Sequence, residues 1–347
     1  MKKFINKNPF IIAEVSANHN GSIHNAKKLI NMAKTYGADA VKLQTYTPDM
    51  MTIKENVIKF KIKKGLWRGY NLYDLYNLGQ TPLIWHKTLF EYARRKRIKL
   101  FSTPFSEEAV HFLEKLNCPA YKIASFEMND SNLVKVAAKT KKPLILSTGL
   151  STMSEIKKSV VIAKKNGCKD LTLLYCVSNY PSKSSDFNLN YINKFKDEFN
   201  CRVGLSDHSL GEEIANYSLI KGATVFEKHI ALENQKKGLD LEFSLKGRQL
   251  KKYTETLKNT FKLIRDEKFN RSKNEMENKI FRRSIYAIKN IKKGDIFSKK
   301  NIKTYRPDVG LSAYYYLDIL KKTSPININK NYPLPKLLLK KLNKKLS

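Results

Sequence analysis

Cysteine, histidine and long apolar runs are all scarce in this 347-residue chain. The four cysteines include no Cys-x-x-Cys pair and stand in or beside apolar runs, which predicts reduced thiols in the core. No stretch approaches the roughly 18 uninterrupted apolar residues that a membrane span needs. The apolar run near the N-terminus is interrupted by Glu14, so it is not typical of a signal peptide. We therefore expect a cytoplasmic protein without a membrane partner.

Acidic residues are also few, with 31 Asp and Glu against 66 Lys and Arg and a formal net charge of +35. A surplus of this size often indicates a nucleic-acid partner. Here only 11 of the basic residues are arginine, the lysines are spread over every segment, and no arginines cluster with aromatic residues. We predict no nucleic-acid partner, but a general attraction for anionic substrates.

The sequence does contain a repeating pattern from residue 10 to about 265, in which a short apolar run is followed by a loop and then by a helical stretch. The strand candidates are 10–15, 40–44, 99–103, 120–125, 143–148, 171–176, 202–206 and 224–229. Eight strands alternating with helices indicate an α/β protein with a (β/α)8, or TIM, barrel over residues 1–265. The alternative is a doubly wound open sheet, for which a Gly-x-Gly-x-x-Gly turn is expected after the first strand; "EVSANHNGS" is not such a turn.

Two further segments follow the barrel region. Residues 266–281 are almost entirely polar and are predicted to be a linker. Residues 282–347 contain short strands and turns, which predicts a small β-rich module. A module of this size is close to the lower limit for independent folding, so we expect it to dock against something larger.

The loop after the second predicted strand, about 46–82, is unusually long and rich in aromatic residues. At that end of a barrel, a long insertion is typical of a wall or lid over the site, although a self-packed surface excursion is the alternative. The side chains expected to offer apolar surface at the mouth are Trp67, Tyr70, Leu72, Tyr73 and Leu75.

Polar side chains at the carboxyl ends of barrel strands converge on one mouth, where chemistry takes place. Lys42 and Lys122 lie inside apolar strand runs, which core packing explains poorly because an unpaired buried ammonium is costly. Lysines and hydroxyls directed at one point suit a phosphate and a carboxylate. His208 and His229 end two successive strands, each with an acid nearby, and two neutral imidazoles suit a divalent metal. A single histidine of this kind would more often be structural.

Eight ordered motifs resemble the sialic acid synthase family, whose members condense phosphoenolpyruvate with an amino sugar. They are "IIAEVSANHNGS", "GADAVKLQTYTPD", "FSTPF", "YKIASFE", "LSTGLST", "YCVSNYP", "VGLSDHS" and "FEKH". The later "RSIYAIKNIKKGDIFSKKNIKTYRPDVGL" resembles the antifreeze-like (SAF) module of the same family. Within the family, the insertion "GLWRGYNLYDLYNLGQTPLIWH" looks most like the pseudaminic acid synthase branch, with N-acetylneuraminate or legionaminate synthesis as the alternative.

The resemblance implies a transferase that joins phosphoenolpyruvate to 2,4-diacetamido-2,4,6-trideoxy-L-altrose, in a domain-swapped homodimer, with the product expected on flagellin or a surface polysaccharide. It implies that His208 and His229 hold a divalent cation, typically manganese, with magnesium or cobalt as alternatives. The implied catalytic residues are Glu14, Lys42, Lys122, Tyr180 and Glu227. The implied substrate-binding residues are Gln44, Thr103, Ser125, Ser178, Ser206 and Arg306.

One departure from the family pattern concerns Ser178, which stands where many members carry asparagine, so one phosphate contact differs. Two other classes of function remain open. A metal-dependent aldolase or epimerase on the same barrel would not require two lysines and a C-terminal module. A non-catalytic carbohydrate-binding relative would not require the catalytic positions to be filled, and here all except residue 178 are filled.

Overall fold

The computed structural model of the protein describes residues 4–264 and 270–343, in two compact units, Met1–Asp266 and Glu267–Ser347. In the described part of the first unit, eight parallel strands form the central sheet. They are β1 (Phe10–Glu14), β2 (Ala40–Thr45), β3 (Lys99–Pro104), β4 (Tyr121–Ile123), β5 (Leu144–Ser147), β6 (Leu171–Cys176), β7 (Arg202–Asp207) and β8 (Val225–Ala231). They pair in chain order, and β1 also pairs with β8, which closes the sheet. The predicted (β/α)8 barrel is confirmed, and the open doubly wound sheet is wrong.

The register of the strands brings distant polar residues together at the carboxyl ends. Glu14 of β1 lies opposite Lys42 of β2 on one side and opposite His229 of β8 on the other. Ser206 of β7 lies opposite Glu227 of β8. Closure of the barrel therefore places the first and last strands side by side, although more than two hundred residues separate them in the chain.

Helices cover the outside of the barrel because each connection between parallel strands has to cross back over the sheet. They are α1 (Ile23–Thr35), α4 (Leu83–Arg95), α5 (Glu107–Lys115), α6 (Ser131–Lys139), α7 (Met153–Lys165), α8 (Asn190–Phe199), α9 (Glu213–Ile220) and α10 (Arg248–Ile264). The helices α2 (Pro48–Met51) and α3 (Leu72–Gly79) belong instead to the long loop after β2. Helix α7 shows how the local sequence specifies these elements. It begins after a capping box formed by Thr152 and Glu155, and it buries Ile156, Val160 and Ala163 against the barrel.

Two longer loops extend the carboxyl end of the barrel. The segment after β2 contains α2 and α3 and is held by an antiparallel bridge between Lys61 and Asn71. The segment after β8 returns to the sheet as a short strand, β9 (Leu245–Lys246), which pairs in parallel with β8. Both segments belong to the end of the barrel that carries the predicted site.

The second unit has an apolar core of its own, which includes Ile285, Phe297, Ile302 and Leu334. Its regular elements are β10 (Ser284–Ala287) and β11 (Ile302–Tyr305), which pair antiparallel, and the short helices α11 (Lys273–Glu277), α12 (Tyr316–Ile319) and α13 (Leu338–Asn343). The limits 1–265, 266–281 and 282–347 stay a prediction, and residues 266–269 of the predicted linker lie outside the described residues. Within the described ranges, no helix is both long and apolar enough to cross a membrane.

Candidate active site

A cavity of about 380 Å³ opens at the carboxyl ends of the barrel strands, a volume in the range of small-molecule sites. The predicted site residues that line it are Lys42, Gln44, Thr103, Lys122, Ser125, Tyr180, Ser206, His208, Glu227 and His229. Glu14 is completely buried in contact with Lys42, and Ser178 lies beside the cavity. Arg306 is an exposed residue of the second unit. The structure thus brings together all the predicted residues of the barrel, while the role of Arg306 stays a prediction.

The floor of the cavity is a buried group of two lysines and two carboxylates. Lys42 Nζ lies 2.5 Å from Glu14 Oε2 and 3.8 Å from Glu227 Oε2, and it donates a hydrogen bond to Thr103 Oγ1 at 2.9 Å. Lys122 Nζ lies 2.7 Å from Glu227 Oε1. Each buried ammonium therefore has a charged partner, which explains how the apolar strands accommodate two lysines.

The two carboxylates of this group differ in their pKa values. Burial raises the pKa of Glu14 to about 7, against the opposing effect of Lys42. For Glu227, burial also favours the neutral form, but Lys122 and Lys42 together outweigh it and lower the pKa. The lysines therefore favour the anionic form of Glu227, whereas Glu14 can gain or lose a proton near neutral pH. Two neighbouring carboxylates with such different pKa values are typical of sites that transfer protons.

The two predicted metal ligands face each other across the cavity, with ring centroids 5.4 Å apart. His208 Nδ1 lies 3.0 Å from the carbonyl oxygen of Val177, which leaves Nε2 for another partner. His229 Nδ1 is buried without a hydrogen-bond partner in the described structure, and Asp240 Oδ2 lies 3.8 Å from it. An unpaired buried imidazole nitrogen calls for a ligand.

This donor set fits a divalent cation that takes its other ligands from water or substrate. Among the described residues, no group of three or more His, Cys, Asp or Glu side chains is arranged to hold a metal ion. Two imidazoles beside a buried carboxylate would leave positions around such an ion open, in contrast to the four protein ligands of a closed structural site.

An aromatic wall stands over the histidines and is built partly from the insertion after β2. The Trp67 ring packs on Tyr180 at 5.2 Å between centroids, and Tyr180 packs on His208 at 4.4 Å. The indole Nε1 of Trp67 donates a 2.8 Å hydrogen bond to the carbonyl oxygen of Leu239, in the loop after β8. The ring of Phe243, from the same loop, packs on the ring of His229 with 4.8 Å between centroids. The insertion is thereby attached across the mouth of the barrel.

Not every residue predicted for this wall takes part in it. Trp67, Leu72 and Leu75 line the cavity. The Tyr73 hydroxyl instead approaches Asp49 at 3.3 Å, and Tyr70 is 39% exposed. Residues 70 and 73 thus belong to the outer side of the insertion. The sequence of a loop alone does not show which of its residues face the cavity and which face outward.

A glycine separates two of the predicted hydroxyl groups. The backbone N–H of Gly149 donates to Ser125 Oγ at 3.1 Å, and a Cβ atom at this position would stand 2.2 Å from Ser178 Oγ. Only glycine therefore fits between the two serines. This arrangement holds Ser178 next to Ser125 at the edge of the cavity, and its part in substrate binding stays a prediction.

The cavity-lining residues that sequence reasoning missed include Glu127, Cys176, Asp240 and Phe243. Burial raises the pKa of Glu127 to about 7, and its Oε2 has no hydrogen-bond partner in the described structure. Burial opposes ionisation of the Cys176 thiol, yet nearby His208 lowers its pKa to about 7. Glu127 lies just after a strand, which was a usable signal. Asp240 and Phe243 lie in the irregular loop after β8, where the sequence carries no periodic signal.

Comparison with known proteins identifies the family of the chain. The NeuB family pattern matches residues 29–268, and the SAF domain pattern matches residues 282–339. The chain is 44% identical to pseudaminic acid synthase of Campylobacter jejuni subsp. jejuni serotype O:2, over 93% of this chain and 94% of the relative. It is 36% identical to N,N'-diacetyllegionaminic acid synthase of the same organism, over 92% of this chain and 97% of the relative.

A solved structure shows the same fold. The N-acetylneuraminic acid synthetase of Leptospira borgpetersenii superposes with a TM-score of 0.70 at 29% identity, covering 78% of this chain and 90% of that one. The family pattern covers most of the chain, and the relatives match it almost end to end. The chain belongs to the NeuB family.

Proposed function

We propose that the protein condenses phosphoenolpyruvate with 2,4-diacetamido-2,4,6-trideoxy-L-altrose and water, releasing pseudaminic acid and phosphate. The observation that carries the proposal is the higher identity with the pseudaminic acid synthase than with the legionaminic acid synthase, over nearly the whole chain. The lysines, carboxylates and aromatic wall of the cavity supply the groups that this reaction needs.

In the proposed reaction, a carbon–carbon bond forms between C3 of phosphoenolpyruvate and C1 of the open-chain sugar. Water then adds at C2, and phosphate leaves with cleavage of its bond to C2. The former aldehyde oxygen takes up one proton. The attacking water loses one proton on addition and its second when the C2 carbonyl forms, and the departing phosphate takes up that second proton. A group that both donates and accepts a proton near neutral pH therefore serves both steps, and the Glu14 carboxyl has that property.

Phosphoenolpyruvate is an anion, and Lys42 and Lys122 are the cations of the cavity. Both lysines are already paired with carboxylates in this structure. Entry of a second anion beside Lys42 favours the protonated form of Glu14, because that form removes the repulsion between the two negative charges. Substrate binding would thus load Glu14 with the proton that the aldehyde oxygen needs.

His208 and His229 are the residues that would hold the divalent cation. When bound, such an ion supplies positive charge that polarises a carbonyl group. The chain's own contribution is to orient the two imidazoles and to keep bulk water out of the cavity. Tyr180 and Phe243 cover the rings from one side and carry out the second task.

The aromatic wall is the feature that selects the sugar in this proposal. A 6-deoxy sugar presents a methyl group where N-acetylmannosamine has a hydroxymethyl group. Trp67, Leu72 and Leu75 offer apolar surface to such a methyl. One methyl contact is worth about 1–3 kcal/mol, and an apolar pocket rejects an analogue that adds a hydroxyl by about 10²-fold.

A competition experiment tests the substrate. The purified protein, supplied with manganese, receives phosphoenolpyruvate and equal concentrations of the L-altro diacetamido sugar and N-acetylmannosamine. Phosphate release is measured, and the products are separated by mass. We expect the diacetamido sugar to be consumed first; faster condensation of N-acetylmannosamine would assign the protein to neuraminate synthesis instead.

A further inference from the structure

A buried ion pair lies immediately behind the two histidines, on the side of β7 and β8 that faces away from the cavity. Lys228 Nζ lies 2.9 Å from Asp207 Oδ2, and both side chains are at most 1% exposed. The two residues are direct partners in the β7–β8 register. Asp207 directly precedes His208, and Lys228 directly precedes His229.

The alternation of side chains along a strand explains why the pair cannot be part of the reacting groups. Ser206 and His208 line the cavity, so Asp207 between them points to the opposite face. Glu227 and His229 line the cavity in the same way, with Lys228 between them. The pair therefore acts on the site only through the backbone that it shares with the histidines.

Further hydrogen bonds tie the turn after His208 to the same pair. Asp207 Oδ1 accepts from the backbone N–H of Ser209 at 2.8 Å and from its hydroxyl at 2.6 Å. Lys228 Nζ also donates to the carbonyl oxygen of Ser209. His208 is thus held between two residues that are both bonded to Lys228, the neighbour of His229.

Stability alone does not account for this arrangement. Buried ion pairs can often be replaced by apolar residues of similar size with no loss of stability, because desolvation of the charges offsets their attraction. Apolar side chains, however, lack directional bonds, so they cannot hold two strand ends in one fixed relation. The pair and its bonds to Ser209 supply that constraint.

We propose that Asp207 and Lys228 are positioning residues that set the relation between the imidazoles of His208 and His229 for binding of a divalent cation. The inference rests on the proposed function, which gives those imidazoles their metal. Residues behind metal ligands that orient them typically change metal affinity by about 10- to 100-fold when they are removed.

The test is the dissociation constant for Mn²⁺ alone, measured on the full chain from the electron paramagnetic resonance signal of the free ion. The variant is Asp207→Leu with Lys228→Met, which replaces the pair by apolar side chains of similar shape. We expect it to fold with a lower unfolding temperature than the parent, because Ser209 loses its hydrogen-bond partners, and to bind Mn²⁺ about 10- to 100-fold more weakly.

The matched control is the ion pair at the other end of β7, where Arg202 Nη1 lies 2.8 Å from Asp170 Oδ1. Asp170→Leu with Arg202→Met makes the same kind of replacement far from the histidines, and we expect it to leave Mn²⁺ affinity unchanged. A folded Asp207→Leu/Lys228→Met protein with affinity within twofold of the parent overturns the inference while leaving the proposed function intact. A parent protein that binds none of Mn²⁺, Mg²⁺ and Co²⁺ overturns the inference together with the metal-binding role of the two histidines in the proposed function.

If the double apolar variant does not fold, Asp207→Asn decides the question with the same measurement. This change retains the shape of the side chain and an oxygen for Ser209 but removes the charge opposite Lys228. A folded Asp207→Asn protein with weakened Mn²⁺ binding supports the positioning role, and unchanged binding overturns it.

Discussion

At the scale of single residues, the surroundings of Glu14 and Glu227 give two identical side chains different tasks. Glu227 lies between Lys42 and Lys122 and stays ionised. Glu14 is equally buried but has only Lys42 as its close partner, so desolvation prevails and its pKa rises to about 7. The residue that exchanges a proton is therefore Glu14, and Glu227 is the fixed counter-charge of the lysines.

The first prediction at this scale concerns Glu14→Gln. Glutamine keeps the size of the side chain but cannot accept a proton, so we expect kcat to fall by about 10²-fold or more. Phosphoenolpyruvate binding should change little. In the parent, kcat/KM should fall about tenfold per unit above pH 7, where Glu14 of the free enzyme loses the proton that the aldehyde oxygen needs, and the variant should lack this limb. A pH–rate profile of both proteins measures this, and near-normal turnover of the variant would remove Glu14 from the mechanism.

The second prediction concerns Glu127, whose pKa burial raises from 4.5 to about 7. Between these values the folded protein holds a proton that the unfolded chain has lost, so stability falls as pH rises through this window. Glu127→Gln removes this dependence. We expect the variant to exceed the parent in free energy of unfolding by up to about 3 kcal/mol at pH 8 and to equal it near pH 4. Urea denaturation at both pH values measures the difference, and an equal offset at the two values would contradict the assignment.

At the scale of elements, the insertion after β2 and the loop after β8 form one wall because they are bonded to each other. The contact is the hydrogen bond from Trp67 to the carbonyl oxygen of Leu239, next to Asp240. The rings of Trp67, Tyr180 and Phe243 pack around it. A loop of this length would otherwise have many conformations, and the aromatic contacts reduce them.

The prediction at this scale separates the hydrogen bond of Trp67 from its ring. Trp67→Phe keeps aromatic packing on Tyr180 and loses one hydrogen bond, so we expect KM for the sugar to rise about 3- to 10-fold. Trp67→Ala removes both the ring and the hydrogen bond and should raise KM for the sugar further. KM for phosphoenolpyruvate should change little in either variant. Trp85→Phe is the control, since Trp85 is the second tryptophan of the chain and is not among the cavity-lining residues. Equal effects on both substrates would show that the wall does not act on the sugar.

At the scale of the whole molecule, the predicted role of Arg306 concerns the second unit. Arg306 lies at the end of β11 and is exposed. The second unit has its own core, so it can act as a body that carries Arg306 to a site. We propose that this site belongs to the partner in a domain-swapped homodimer, where Arg306 would contact an acetamido group of the sugar.

Mixing two inactive chains tests this proposal. In a mixed dimer of Arg306→Ala and Glu14→Gln chains, a swapped arrangement leaves one site with both lesions and one site with neither. We expect recovery of about a quarter of parent activity after random exchange of equal amounts. Absence of recovery, with subunit exchange demonstrated by tagged chains, would mean that the module serves its own barrel.

The sequence by itself determined the barrel, because the spacing of apolar runs and helical stretches is local information. It also identified Lys42 and Lys122, since a lysine inside an apolar strand is conspicuous wherever it occurs. His208 and His229 were found for a similar reason, as polar ends of two successive strands. In each case the signal lies within a few neighbouring residues.

The tertiary structure alone decided which charges meet and which loop residues face the cavity. Glu14 and Glu227 are 213 positions apart, and only closure of β1 on β8 puts both beside Lys42. The pKa of Glu14 depends on that closure, because burial and the neighbouring charges exist only in the folded barrel. Asp240 also lines the cavity only because of tertiary contacts. Its loop has no periodic pattern, and its position follows from the hydrogen bond between Ser16 and Asp240 and from the bond between Trp67 and the neighbouring Leu239.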